Sequence, residues 1–351
     1  MSARITIALD GMGGDRAPDI VIKGASIALQ RYPHAHYIIF GVEDRIRPAL
    51  AKLPALADHV TIRHTDDIVT GDAKPSAALR NGRRSSMRLA IDAVASGEAD
   101  CVVSAGNTGA LMAMAKFALR MLPGIDRPAM ASFFPTQRGE SVLLDLGANV
   151  ECDADNLVQF ALMGDVFART VLGLLQPTVG LLNVGSEEMK GNDAVRGAAM
   201  RLREPGGPIH FKGYVEGDGI AAGAVDVIVT DGFTGNVAVK TAEGTARLFT
   251  EFLRASFQHS LMARIGYLLA HSALRKLRAR LDPRRYNGAV FLGLDGICVK
   301  SHGSTDALGF ANAIGVAVDM KLNGFLEKIR DGLGRLNEAP QPHDKSQSAA
   351  L

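Results

Sequence analysis

Repeatedly along this chain, a short run of aliphatic residues empties into a loop of Gly, Asn, Ser, Thr or Asp and then into helically spaced residues. Val225 to Val229 opens onto Thr230-Asp231-Gly232-Phe233-Thr234-Gly235-Asn236, ahead of a helical pattern from Val237 to Phe249. Ile5 to Leu9 leads to Asp10-Gly11-Met12-Gly13-Gly14-Asp15, and Cys101 to Val103 leads to Ser104-Ala105-Gly106-Asn107-Thr108-Gly109-Ala110. Val142 to Leu146 precedes Gly147-Ala148-Asn149, Val179 to Leu182 precedes the loop from Asn183 to Gly191 with Lys190, and Gly296 to Val299 precedes Lys300-Ser301-His302-Gly303-Ser304. Apolar runs without polar alternation are those of strands covered on both faces. Strands alternating with helical stretches predict an α/β protein with a mostly parallel sheet between helical layers. If these strands share one parallel sheet, their loops converge at its carboxyl edge, where ligands bind. Glycines there admit close approach, and helix N-termini favour anions. One such loop alone is an ordinary capped connection; several together predict a site for a small polar anion.

A chain of 351 residues, 47% hydrophobic, has enough apolar material for a large core, read as one catalytic domain over residues 1–335. The net charge of +2 is too small to imply a nucleic-acid partner, and no segment combines basic runs with stacking aromatics, so none is expected. Cys101, Cys152 and Cys298 lack metal or redox spacing and are expected to be structural thiols of a reducing cytoplasm. The opening strand predicts no signal peptide, and the longest uncharged stretch, ahead of Glu187, is broken by Gln176-Pro177 and Asn183.

Pro18 to Arg31 reads as a helix and Ala35 to Val42 as the next strand. The stretch after Lys74 carries Arg80, Arg83, Arg84 and Arg88, either a solvated face or a cradle for phosphate or an acidic partner. Met112, Met114 and Met121 fall at helical spacing and are expected in the core. Gly217-Asp218-Gly219-Ile220-Ala221-Ala222 matches a dinucleotide fingerprint only nominally, lacking the first-strand context and the acidic ribose partner. Residues 240–285 depart from the strand-helix alternation. They read as a protruding arm of two helices with an apolar turn near Gly266, followed by basic residues from Arg275 to Arg285. Such an arm suits a subunit contact or a membrane anchor in which Ile265, Leu268 and Leu269 enter the headgroup region. Residues 336–351 are expected to form a disordered tail.

No P-loop, nucleophile elbow, HExxH or zinc spacing occurs, and no His is followed by Asp five positions on. Loops of Gly, Asn, Ser and Thr remain, with isolated Lys190, Lys240, Lys300 and His302.

The segments Asp10 to Pro18, Ser104 to Ala110, Thr230 to Asn236 and Tyr286-Asn287-Gly288-Ala289 resemble the bacterial phosphate acyltransferases of phospholipid synthesis, the PlsX family, in the family's order and from about Ile5 to about Leu333. Asp231, Gly235, Asn236 and Lys240 also resemble the phosphate loop of phosphotransacetylases. The resemblance implies an isopropylmalate-dehydrogenase-like α/β/α fold, a homodimer, no cofactor and no metal. It further implies that an acyl-carrier-protein thioester reacts with inorganic phosphate to give acyl phosphate for a glycerol-3-phosphate acyltransferase, with the enzyme cytoplasmic and peripheral to the inner membrane face. Lys300, His302, Asp231 and Lys190 are then the expected catalytic residues, with Asp231 orienting the charged groups. Asp10, Gly13, Ser104, Gly106, Asn107, Thr108, Asn149, Gly235 and Asn236 are expected to bind phosphate or thioester. A decarboxylating dicarboxylate dehydrogenase of similar fold would require an Arg cluster and paired Asp for Mg²⁺. A non-catalytic acyl-carrier or lipid-binding scaffold would have no use for so many polar loops.

Overall fold

The computed structural model describes residues 4–280 and 282–338. The strands are β1 (Ile5–Asp10), β2 (Ala35–Gly41), β3 (Val60–His64), β4 (Cys101–Ser104), β5 (Ala129–Thr136), β6 (Gly139–Leu144), β7 (Thr178–Leu182), β8 (His210–Val215), β9 (Val227–Val229), β10 (Ala289–Leu292) and β11 (Ile297–Lys300). The helices of the first half are α1 (Asp19–Arg31), α2 (Glu43–Leu50), α3 (Pro54–Ala57), α4 (Pro75–Asn81), α5 (Ser86–Ala95) and α6 (Thr108–Leu119). Those that follow are α7 (Ala154–Val171), α8 (Asp193–Leu202), α9 (Gly217–Ala222), α10 (Gly232–Gln258), α11 (Leu261–Leu269), α12 (His271–Arg280), α13 (Ala307–Leu322) and α14 (Phe325–Glu338).

All eleven strands join one sheet, in the order β3-β2-β1-β4-β11-β10-β5-β6-β9-β7-β8. Each strand shows alternate residues to the two faces. Ile7, Leu9, Cys101, Val103, Ala131, Leu144, Val179, Leu181 and Val299 face one large core closed by α1, α7 and α13, with Phe160, Phe167 and Phe310 fully buried. The opposite face is covered in two pieces. Ala8, Val102 and Cys298 meet Met87, Ile91, Leu111 and Met114 of α5 and α6, while Leu143 and Ile228 meet Ile220 of α9 and Ala238 and Val239 of α10. The α/β/α layering is therefore as expected, and Met114 is fully buried, with Met112 and Met121 packed beside it.

Most strand pairings are parallel, as expected, but the sheet is not parallel throughout, so its loops do not converge on one edge. β1, β2, β3, β4 and β11 run parallel, but β10 is antiparallel to β11 and to β5, and β5 is antiparallel to β6. Since β6, β9, β7 and β8 are parallel to one another, they run opposite to the β1 half. The loops consequently gather in two groups at opposite edges: those after β1, β4 and β11, and those after β6, β9 and β7. The hairpin turn Gln137-Arg138 reverses the chain between β5 and β6.

The arm differs as well. Its first helix starts at Gly232, directly at the loop after β9, and runs to Gln258. The break falls at Ser260, whose hydroxyl accepts from the Ala263 N–H, and Gly266 lies inside α11. An N-cap serine is a stronger signal than one interior glycine, which costs a helix only about 1 kcal/mol. Helix α14 extends to Glu338, past the expected tail boundary at residue 336; residues 339–351 lie outside the described residues.

Candidate active site

Parallel register sets three polar residues in a row. Lys300 pairs with Ser104 across β11 and β4, and Asp10 closes β1 one residue beyond the Leu9–Val103 pair. By two-residue alternation they continue the face of Ala8, Val102 and Cys298, the face closed by α5 and α6. Asp10 is buried; its carboxylate accepts from Ser86 Oγ at 2.7 Å, Ser104 Oγ at 2.6 Å and the Met12 N–H at 3.3 Å. Burial raises its pKa, opposed by the Ser104 and Ser86 hydrogen bonds. The surrounding loops are sewn together: Asp15 N–H donates to Gly303 O at 3.0 Å, Ser301 N–H to Ser104 O at 2.8 Å, and the Arg16 guanidinium to Thr305 O at 2.5 Å. Gly13 and Gly106 abut there, since a Cβ on Gly13 would lie 2.7 Å from the Gly106 nitrogen and one on Gly106 would lie 2.5 Å from Met87 Cε.

Lys300 is 8% exposed, and its ammonium donates to Ser301 O. Burial lowers its pKa from 10.5 to about 8, against the pull of Asp10 and Asp15. His302 stands two residues further on, its N–H held by Asn287 Oδ1 at 2.8 Å. Asn287 itself donates to Ser301 Oγ at 2.8 Å and Gly309 O at 2.7 Å, which fixes the loop from behind. Burial, then Lys300 and Lys240, lower the His302 pKa, so its imidazole is neutral near pH 7. The Ser304 N–H donates to its Nδ1 at 3.3 Å, which leaves the proton on Nε2 as a donor. Beside this row, Ser104 Oγ accepts from Gly106 N–H at 3.0 Å, and α6 starts at Thr108 with its first N–H groups free of intrahelical partners. The edge thus collects a buried cation, a neutral imidazole donor and a helix N-terminus, which together suit a phosphate or a developing oxyanion.

Asn107 sits at this edge but is committed elsewhere: its Oδ1 caps α6 through Ala110 N–H at 2.8 Å, and its Nδ2 donates to Gly71 O at 2.7 Å. It therefore shapes the helix start, and the N–H groups of Thr108 and Gly109 remain to bind. Asp10 likewise accepts from the Ser86 and Ser104 hydroxyls, which holds Ser104 in place beside Lys300.

The second edge holds the other predicted residues. Its centre is Asp145, fully buried, which sequence reasoning missed. Its carboxylate accepts from the N–H groups of Met130 (3.0 Å), Gly147 (3.1 Å), Ala148 (3.0 Å) and Asn149 (2.7 Å), and from Asn149 Nδ2 (2.9 Å). A lone Asp ending an apolar run was the available signal, because a buried carboxylate needs such a set of donors. Asn149 also donates to Pro128 O, and Asn236 to Leu146 O at 3.0 Å. Asp231 caps α10, accepting from Thr234 N–H and Oγ1 at 2.8 and 2.7 Å. It does not orient Lys300 or His302, which lie at the opposite edge. Gly235 lets α10 close onto this loop, where a Cβ would overlap Asp145 O. Lys190 is exposed in the loop beyond β7 at this second edge, away from Lys300.

Helix α10 bridges the two groups. It starts at the second edge, at the end of β9, and Lys240, paired with Glu243 at 2.8 Å, comes near enough to bias the His302 charge. No group of three or more His, Cys, Asp or Glu able to hold a metal occurs among the described residues. Burial pushes the Cys152 and Cys298 thiols up to about 12 and raises Cys101 further, so none is a ready nucleophile.

The scaffold is an α/β/α one whose first edge suits an anion by position and charge, with no activated thiol among the described residues. Residues 5–328 match the model of the family described as fatty acid synthesis protein. A phosphate acyltransferase of Rhodospirillum centenum is 70% identical over 97% of this chain and 96% of its own, and one of Paramagnetospirillum magneticum is 60% identical over 97% of each. The chain belongs to this fatty acid synthesis protein family, and it is an acyltransferase. In fold it is similar to a phosphotransacetylase from Streptococcus pyogenes (TM-score 0.63, 17% identity, 92% of this chain and 95% of that one). It is also similar to a 4-hydroxythreonine-4-phosphate dehydrogenase from Klebsiella pneumoniae (TM-score 0.53, 15% identity, 91% and 98%).

Proposed function

We propose that this acyltransferase moves a fatty acyl group from the thioester of an acyl-carrier protein to inorganic phosphate. A phosphate oxygen attacks the thioester carbon, the tetrahedral oxyanion collapses, the C–S bond breaks, and acyl phosphate and carrier thiolate leave. Phosphate near neutral pH already includes its dianion and thiolate is a good leaving group, so positioning and charge stabilisation are the tasks left to the protein. The observation that carries this reading is the row Asp10, Ser104, Lys300 beside the open N-terminus of α6, with neutral His302 supplying an Nε2 donor. Lys300 and His302 meet the oxyanion or phosphate charge, and the Thr108 and Gly109 N–H groups hold the remaining oxygens. The group around Asp145, Asn149, Gly235 and Asn236 anchors α10, which brings Lys240 towards the first edge.

The acyl phosphate is handed to a glycerol-3-phosphate acyltransferase in phospholipid synthesis, and the protein works as a homodimer lodged peripherally on the inner face of the cell membrane. The arm supports both points. Only Gly232 and Gly235 of the 27-residue α10 are buried, and α11 exposes Leu261, Met262, Ile265, Leu268 and Leu269 as one stripe. Among the described residues no helix is long and apolar enough to cross a membrane. The test is release of free carrier thiol by purified protein without metal or nucleotide: release that requires phosphate supports the reading. Hydride transfer from a dicarboxylate to NAD with Mg²⁺, without phosphate-dependent release, would sink it.

A further inference from the structure

We infer that the hollow bounded by α4, α5 and α6 is the docking surface for the acidic carrier that delivers the acyl group, with Phe117 at its centre and Arg80 and Arg83 at its rim. This deepens the reading above and rests on it. The hollow, about 490 Å³, is lined by Leu79, Arg80, Arg83, Arg88, Asp92 and Phe117. Its chemistry is unusual for a helical surface that has no partner. Phe117 is 66% exposed, although α6 turns its other apolar residues Leu111, Met114 and Ala115 into the core. The Arg88 guanidinium lies 5.5 Å from the centre of the Phe117 ring and is held there by Asp92 at 2.8 Å. That pairing uses the only carboxylate in the lining. Arg80 and Arg83 have no ion pair among the described residues, so the rim presents uncompensated positive charge around an apolar floor. A surface of this kind fits a partner with carboxylates around an apolar side chain.

Position selects the carrier over other acidic partners. Helix α6 begins at Asn107 and Thr108 beside Lys300's strand edge and carries Phe117 about 14 Å further along its axis, at about 1.5 Å per residue. A carrier seated on Phe117 would therefore lie one helix length from the site, and an acyl group borne on an extended arm could follow α6 to Lys300. Arg84, whose backbone carbonyl accepts from Thr65 Oγ1, is not part of the lining, and Phe117 joins Arg80, Arg83 and Arg88 of the basic stretch expected from sequence.

The test is steady-state kinetics of Arg80→Glu/Arg83→Glu and of Phe117→Ala with two donors: the acyl-carrier protein and a small acyl-pantetheine thioester. The charge-reversed variant is expected to raise KM for the carrier donor roughly tenfold or more and to flatten its salt dependence. The KM for phosphate and turnover of the small thioester should stay at the wild-type values. Phe117→Ala should raise the same KM without changing the salt slope. An unchanged carrier KM in both variants overturns the surface while leaving the acyltransfer standing. Equal losses on both donors overturn it too, by assigning these residues to the fold or the catalytic edge. Loss of binding to anionic vesicles with carrier kinetics intact would assign the patch to lipid. If the wild type shows no phosphate-dependent transfer from either donor, the reaction itself is wrong and the surface falls with it.

Discussion

Lys300 carries the sharpest residue-level prediction, because its burial links chemistry to stability. Its pKa falls from 10.5 to about 8 in the folded protein, so between those values the unfolded chain holds a proton the native chain has lost. Stability contributed through this residue therefore rises with pH across that window, and below about pH 8 the buried charge is a burden on the order of 3 kcal/mol. Lys300→Met should raise Tm at pH 7 by several degrees, with the advantage fading above pH 8, while phosphate-dependent turnover drops about a hundredfold or more. Thermal melts at pH 7 and pH 10 alongside activity assays check this; a variant that melts lower at pH 7 contradicts the burial cost. In the wild type, kcat/KM should fall as pH passes about 8 and the ammonium is lost. Lys300, His302 and the Gly106-Asn107-Thr108 loop were legible in the sequence because each follows an apolar run at once. Asp145 was passed over because Val142 to Leu144 and Leu146 on either side of it read as one buried strand, and only the donors folding around its carboxylate make its burial tolerable. Asn107 was expected to bind phosphate and Asp231 to orient the charged groups, but their side-chain oxygens cap helices, and the Asn107 Nδ2 that could donate to an anion is engaged by Gly71 O.

At the scale of elements, α10 links the second edge to the first, and its seating depends on Gly235. A methyl group there would strike Asp145 O, so Gly235→Ala should push α10 away from the β6 loop. We expect a loss of roughly 1 to 3 kcal/mol and a fall in turnover through displaced Lys240. A variant with unchanged denaturant midpoint and kinetics contradicts that packing. The arm makes a separable prediction. Ile265, Leu268 and Leu269 are 53%, 71% and 82% exposed on α11. Burying each in lipid would contribute at most about 1.5 to 3 kcal/mol, which gives reversible attachment. The wild type should sediment with anionic vesicles, less in high salt, and Leu268→Glu/Leu269→Glu should remain dimeric and active in solution but stay in the supernatant. A double variant that dissociates into monomers, with no vesicle binding by the wild type, would make α11 a subunit contact instead. That the arm is helical followed from its spacing; the misplaced turn arose from giving Gly266 more weight than the Ser260 cap.

Over the whole molecule, the layering and the mostly parallel sheet were readable, and the reversal in mid-sheet was not. Apolar runs such as Ala129–Thr136 and Ala289–Leu292 look the same whether a strand is parallel or antiparallel, when both faces are covered. The reversal lies in the short turn between Thr136 and Gly139, too brief for a parallel crossover and therefore a usable signal. That reversal puts the predicted loops on two edges, and the proposed reaction would bring phosphate and thioester together at the row Asp10, Ser104, Lys300. In the proposed reaction the acyl group passes straight to phosphate. Initial velocities measured while acyl-carrier-protein thioester and phosphate are varied together test this most directly. Intersecting double-reciprocal lines are predicted for direct transfer in a ternary complex; parallel lines, which report an acylated enzyme formed before phosphate reacts, would contradict it.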